Sequence, residues 1–378
     1  MKTKLLLFLL IFQGILFSNA QELALVRNND LFGYINTSGE YVIKPQFEKA
    51  SSFSGKYAAA MEDEKWGLIN TSGEWVLKPE YDRVKAFNSG YVLVLKNEQW
   101  NYVNASGEIL NTPVTEKFYD FVDGVAFYRS NKKLGLLGTT GKLILEPTYD
   151  LIKPFSNGYA RVRNGANWGM IDKKGDVFIP LEYTEIGEYN SKGVWARKGD
   201  SFGVITNNTF NIIAGADKIW DFNNESDLTY ARSNKKVGFI NNKGGWVIKP
   251  IYNKVRAFSN GLAPAVSDKL WGYINEKGEQ IVDFKFKDAE IYSVGGIAPV
   301  KEKKLWGFMD TSGKMIIPAE YQITAAGFTI FDKDNDKGFR NGITRVKKNK
   351  KWGFLDKEGN LIGNKWFENV ELFVNTAE

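Results

Sequence analysis

The 378-residue sequence contains no cysteine and no histidine. Without cysteine there is no disulfide and no thiolate nucleophile. Without histidine there is no Ser-His-Asp triad, and without either there is no zinc site of the usual kind. Charge of one sign is also missing. Fifty basic residues face 44 acidic ones, for a formal charge of +6 spread along the chain. That balance favours solubility but is not the concentrated basic footprint of a nucleic-acid binder, so no nucleic-acid partner is expected. After residue 20 no run is apolar enough to span a membrane.

The one long apolar run is at the start. Lys2 and Lys4 precede Leu5 to Phe17, and the run ends at Ser18-Asn19-Ala20. A basic start, an apolar middle and small residues before a cut describe a secretory signal peptide over 1–20, with cleavage between Ala20 and Gln21. As a helix, the run reaches roughly 20 Å, short of the roughly 30 Å hydrocarbon core that a membrane anchor must cross. The expectation is therefore an exported chain, with periplasmic, cell-surface and secreted destinations all open. No cysteine follows the run to carry a lipid anchor.

Residues 21–378 repeat themselves. Taking the apolar residue before a recurring glycine as anchor gives Phe32, Trp66, Trp100, Leu134, Trp168, Phe202, Val237, Trp271, Trp306 and Trp352, with spacings of 34 or 35 except for the last, which is 46. A glycine follows the anchor in nine of ten copies, the exception being Asn101. Seven residues after the anchor lies another glycine (Gly39, Gly73, Gly107 and so on), with Thr209 the one departure. Fifteen after it there is usually Tyr or Phe, and six beyond that another aromatic, as in Phe53, Phe87, Phe155, Tyr189 and Phe258.

Each column has a local structural meaning. Tyr159 to Arg163 and Trp168 to Asp172 alternate between apolar and polar residues, the period-2 pattern of half-buried strands. Asn36-Thr-Ser-Gly39 and Asp310-Thr-Ser-Gly313 suit a type I turn whose glycine takes the left-handed conformation. The strand after this turn often stops at a proline (Pro45, Pro79, Pro147, Pro250), which lacks the N–H needed to continue a ladder. Three short antiparallel strands per unit follow. Phe367, Val370 and Phe373 carry the spacing almost to the C-terminus, so the array fills the chain after residue 20.

These residues resemble the WG-repeat family, also called KWG repeats, found mainly in bacterial proteins. Lys65-Trp66-Gly67 and Lys351-Trp352-Gly353 match the name, and Asn167-Trp168-Gly169, Leu270-Trp271-Gly272 and Leu305-Trp306-Gly307 match it more loosely. The resemblance covers roughly 23–373 and implies an all-β repeat structure, with little about activity. It weakens at Trp100-Asn101 and in the copy anchored at Phe202, which lacks the turn glycine and the proline. An irregular sheet is expected at both places.

About thirty short strands cannot form one flat sheet. Ten three-stranded units exceed the usual four to eight four-stranded blades of a propeller. The expected fold is therefore an all-β tandem array of short antiparallel strands, solenoid-like or open superhelical, with a closed propeller-like ring as the alternative.

Candidate functional features are few. The 46-residue step inserts about twelve residues between Tyr321 and Phe339, including Asp332, Asp334 and Asp336. Counted from Asp332 as an EF-hand loop, Lys337 and Ile343 stand where Gly and Glu are needed. A solvated or partner-contacting loop fits this segment better than a calcium site. Lysines gather before the anchors, at Lys65, Lys132-Lys133, Lys235-Lys236, Lys269, Lys303-Lys304 and Lys347 to Lys351, and stacked units would align them as a ridge. Acidic neighbours such as Asp63, Glu64 and Glu302 interleave with them, favouring plain solvated turns. Five tryptophans lie outside the anchor column: Trp75, Trp195, Trp220, Trp246 and Trp366. Exposed, they would suit sugar stacking; cross-strand packing is the simpler cause. No nucleophile elbow, phosphate loop or ligand cluster is present, so no catalytic, cofactor or metal residues are assigned. The sequence favours an exported, non-catalytic surface that binds or scaffolds a protein. A cell-envelope glycan is the alternative partner, and a carboxylate-based hydrolase the weaker third reading.

Overall fold

The computed structural model describes residues 21–323 and 337–377. The Asp332, Asp334 and Asp336 loop and the leader over 1–20 lie outside the described residues. No described helix is long and apolar enough to cross a membrane.

Every unit is built on one hairpin. In unit 5 a rising strand, Tyr159–Asn164, turns into an anchor strand, Asn167–Asp172, with Arg163 opposite Trp168. The turn between them uses two residues, often both left-handed, such as Asn131 and Lys132 at φ 51° and 63°. That geometry matches the twist of a tight hairpin. A return strand, Val177–Tyr183, pairs on the far side of the anchor strand, and a two-residue lead strand, Leu151–Ile152, pairs on the near side of the rising strand.

The turn into the return strand is the expected one. Gly39 N–H donates to Asn36 O at 2.9 Å, and the Asn36 side chain accepts from Ser38 N–H and Glu40 N–H at 3.0 Å each. Units are locked together by these turns. Gly73, Gly175, Gly278, Gly313 and Gly359 each lie against an aliphatic of the preceding return strand: the buried Ile43, Ile248, Val282 and Ile317 and the half-buried Leu145.

The aromatic residue two after the anchor packs on the aromatic that follows the lead strand of the next unit. Tyr34 packs on Phe53 (ring centroids 4.7 Å apart), Tyr102 on Phe121 (4.8 Å), Phe239 on Phe258 (4.4 Å), Tyr273 on Tyr292 (5.0 Å) and Phe308 on Phe339 (5.1 Å). Where the first partner is Tyr, its hydroxyl donates to a backbone carbonyl 17 residues ahead: Tyr34 to Ser51, Tyr102 to Tyr119, Tyr273 to Glu290. Burial pushes the Tyr34 and Tyr273 phenols well above their ordinary range, so they stay neutral donors. Tyr273→Phe keeps the packing and deletes only this bond. The expected loss is about 1 kcal/mol in chemical denaturation, whereas Tyr273→Ala is expected to cost about 3–5 kcal/mol through the cavity it leaves.

The all-β tandem array is as expected, and its ends are joined. The last short strand, Asn369–Val370, pairs antiparallel with the first long strand, Glu22–Asn28, through Val26↔Val370 and Arg27↔Asn369. Val374–Asn375 pairs with its start. Residues from both ends (Ala24, Val26, Ile35, Trp352, Phe354, Phe367 and Val370) share one core. The structure is thus the closed ring and not the open superhelix favoured from strand counts. The physical reason lies in the lead strand, which each unit takes from the chain just before its own hairpin. In unit 1 that place, beside Glu22–Asn28, is filled by Asn369–Val370.

The two irregular copies behave differently. Unit 6 keeps its fourth strand, Thr209–Ile212, shortened but in straight register, because a left-handed Asn207-Asn208 turn replaces the usual glycine turn. Its sheet is shorter than its neighbours' but not irregular. Unit 3 loses its return strand altogether.

Candidate functional site

In unit 3 that loss coincides with the residue that replaces glycine; unit 10, which keeps Gly353, also has no full return strand and is met there only by the bridges Leu355↔Leu361 and Trp352↔Phe367. In seven units the return strand bulges over the glycine after the anchor, and in unit 6 it passes the same glycine in straight register. A Cβ there would stand 2.6 Å from Ile43 O at Gly33, 2.4 Å from Leu77 O at Gly67 and 2.5 Å from Ile179 O at Gly169. Gly135, Gly203, Gly238, Gly272 and Gly307 meet the opposing backbone in the same way. A side chain therefore excludes the bulge, and at the same place unit 3 carries Asn101.

The chain of unit 3 starts a return strand and then peels away. Val103 still bridges Ile109, and Leu110 N–H reaches Tyr102 O at 2.9 Å. Trp100 keeps its partner Leu95 on the rising strand, but no strand of the described residues pairs with it on the other side, and Thr115 stands where most other units place Tyr or Phe. The segment docks on unit 4 instead. Glu116 N–H donates to Arg129 O (3.0 Å), the Thr115 hydroxyl to the same carbonyl (3.1 Å) and the Tyr128 hydroxyl to Val114 O (2.8 Å).

What remains is a cleft of about 1160 Å³ beside the uncovered edge of Gln99–Val103. Ile109 and Val114 line it and are 64% and 94% exposed. Lys85, Glu98, Glu116, Lys117 and Asp120 supply mixed charge on its walls. Loss of solvent around the Asp120 carboxyl raises its pKa, and nearby Lys85 pulls it back, although the residue as a whole stays exposed. The sequence marked Asn101 as a departure. It did not mark Ile109 or Val114, which only the absence of the return strand exposes.

The other sequence candidates are accounted for by packing. None of the eleven tryptophans is exposed. Trp75 packs edge-on against Phe47 of unit 1 (5.7 Å), Trp246 donates to Ala214 O of the preceding unit (3.0 Å), and Trp220 stacks on Tyr230 (4.8 Å, 25°). Trp195 lies beside Phe202 and Trp366 is packed into the last unit. The lysine ridge is partly neutralised. Lys65 pairs with Asp82 (2.6 Å) and Lys133 with Asp150 (2.7 Å), and these hydrogen bonds hold both carboxyls below their ordinary range. Other lysines bridge consecutive units: Lys96 to Glu80, Lys198 to Glu182 and Lys348 to Glu320, at 2.9–3.0 Å. Among the described residues no group of three acidic side chains is placed to hold a metal ion.

The family model for the WG containing repeat matches residues 32–66, 66–100, 135–168, 168–200, 238–271, 271–306, 306–323 and 337–352. The matches run from anchor to anchor and omit 101–134 and 201–237, the spans that hold the missing return strand and the shortened one. No curated relative matches the chain. Among solved structures, it is similar to a eukaryotic initiation factor, at 10% identity and a TM-score of 0.48 over 95% of this chain and 99% of that one. It is also similar to PorZ, a surface component of the type-IX secretion system of Porphyromonas gingivalis, at 9% identity and a TM-score of 0.26 over 92% of this chain and 59% of that one.

Proposed function

The chain belongs to the WG-repeat family, and from that premise we propose that it is an exported, non-catalytic ring that binds a partner protein through the open edge of unit 3. The observation that carries this reading is the cleft left by the missing return strand. An uncovered strand edge offers backbone N–H and C=O groups to an extended segment, and adjacent apolar pockets give such a segment its specificity. The other units suggest the occupant: an extended peptide with an aliphatic residue four positions before an aromatic, as in Leu77 and Tyr81 of the return strand Trp75–Tyr81. Export is supported by the basic and apolar leader ending at Ala20. Directly after it, the Gln21 carbonyl accepts from Thr376 N–H (3.0 Å) and from its hydroxyl (2.7 Å), so the expected new N-terminus is held by the C-terminal segment.

The test is capture from an envelope extract of the producing cells with residues 21–378. Native protein is expected to retain a discrete protein that a peptide of the Trp75–Tyr81 sequence displaces. Ile109→Asp with Val114→Asp, both at exposed positions that folding tolerates, is expected to reduce retention at least tenfold. Equal retention by the double variant would remove the cleft as the contact. Mass spectrometry of the protein from the same cells is expected to find Gln21 as the first residue.

A further inference from the structure

The groove that widens into the unit 3 cleft recurs between other units, and its charge changes around the ring. Between units 6 and 7 it has about 500 Å³, with Glu185, Asp200 and Asp217 facing Arg197 and Lys218. Between units 7 and 8 it has about 700 Å³ and is lined by Lys235, Lys254, Arg256, Lys287 and Asp288, together with Arg232, which is already paired with Asp217.

Two repeat columns produce this change. The second residue of the hairpin turn is Asp30, Glu64 and Glu98 in units 1–3, Lys132 in unit 4, Ala166 in unit 5 and Asp200 in unit 6, and then Lys235, Lys269, Lys304 and Lys350 without a break in units 7–10. A second column holds the residue whose N–H bonds the next rising strand. It reads Asp82, Glu116, Asp150, Thr184 and Asp217 in earlier units and Glu368 at the closure, and each carboxylate lies beside a Lys or Arg. Over units 7–9 the same column reads Asn253, Lys287 and Gln322, and the carboxylate is gone. Lys235, Lys254 and Lys287 are exposed and have no ion-pair partner among the described residues, whereas Arg256 is held by Asp288 and Glu290.

We propose that this basic arc, centred on the groove between units 7 and 8, binds an acidic polysaccharide, a chain of uronate sugars. Lysines set out over four successive units match a linear polyanion better than a single small anion. Trp220, Tyr230 and Trp271, all half-buried, line the groove with their ring faces already taken, so recognition rests on the lysine charges. Nucleic acid fits less well, because stacking of bases needs free ring faces. Trp220 is already stacked on Tyr230, and Arg256 lies 4.6 Å from the Trp271 centroid.

The experiment measures retention of residues 21–378 on immobilised polygalacturonate, on a neutral glucan and on single-stranded DNA of equal charge, at two salt concentrations. Lys235→Asp with Lys287→Asp restores the residue types that sister units carry, so the fold should accept both. Lys132→Asp with Lys142→Asp makes the same charge change at exposed positions on unit 4. Salt-sensitive binding of polygalacturonate is expected, with no binding of glucan, a loss of at least tenfold in the first variant and a change under twofold in the second. Three results would overturn the proposal: no retention on polygalacturonate, equal losses in both variants, or DNA bound as tightly as the uronate chain. None of these bears on the unit 3 cleft, whose Ile109 and Val114 are unchanged in every variant.

Discussion

Deleting residues 369–378 is expected to unfasten the ring and lower its stability by several kcal/mol. The deletion removes Val370, which is fully buried, and the pairing of Asn369–Val370 with Arg27 and Val26. It also removes Glu371, whose carboxylate lies 3.7 Å from Arg345 with both side chains at 10% exposure or less. Arg345 belongs to the rising strand of unit 10, so this ion pair joins the last hairpin to the strand that completes the first. Taking one partner from a buried pair costs about 3–5 kcal/mol, because the remaining charge keeps its burial and loses its compensation. Glu371→Ala alone should therefore reproduce much of the effect. The deletion adds a second symptom, since Glu22–Asn28 becomes an uncovered edge and the chain should associate as concentration rises. Denaturation midpoints and sedimentation velocity check both parts. An unchanged midpoint and a monomer at all concentrations would mean that the closure contributes nothing.

What was legible in the sequence follows from what a repeat averages. Positions that meet the same surroundings ten times, such as the Phe53 to Phe373 column or the Asn36-to-Gly39 turn, announce their role by recurring. Closure happens once and depends on how far each unit turns relative to the last, an angle that no residue encodes alone. A trace of it was nonetheless present. Glu368, Asn369, Val370 and Phe373 repeat the spacing of Glu48, Lys49, Ala50 and Phe53, and so form the lead segment of unit 1. The same spacing also reads as the fading end of an open array. The charge arc was hidden by a different averaging. Lysines from the whole chain look like one ridge balanced by acids, whereas in register the acids cluster in units 1–3 and the lysines in units 7–10. For Asn101 the departure and an irregular sheet were legible, but the loss of the return strand was not, because a missing glycine announces a clash only once the opposing backbone is known.

That clash makes Gly169→Ala the most informative single substitution. The methyl group would stand 2.5 Å from Ile179 O and 2.9 Å from Pro180 C, both backbone atoms, so no side-chain rotation can relieve it. The backbone at Gly169 does not adopt the left-handed conformation, unlike Gly175 at φ 88°, and the effect is therefore one of space alone. Overpacking of this kind costs about 1–3 kcal/mol if the return strand shifts, and more if it detaches. Detachment would release Tyr183 from its place opposite Trp168 and Glu182 from Lys198, loosening unit 5 from unit 6 as well. Burial and the adjacent Glu182 carboxylate hold the Tyr183 phenol at about 12. A detached strand should let it titrate nearer its ordinary value, which ultraviolet absorbance can follow. Hydrogen exchange over Val177–Tyr183 should accelerate in the variant while Trp75–Tyr81 stays protected. Slow exchange in both strands, with a midpoint unchanged, would show that the bulge can move aside without loss. In that case Asn101 could not be what keeps the return strand of unit 3 from forming.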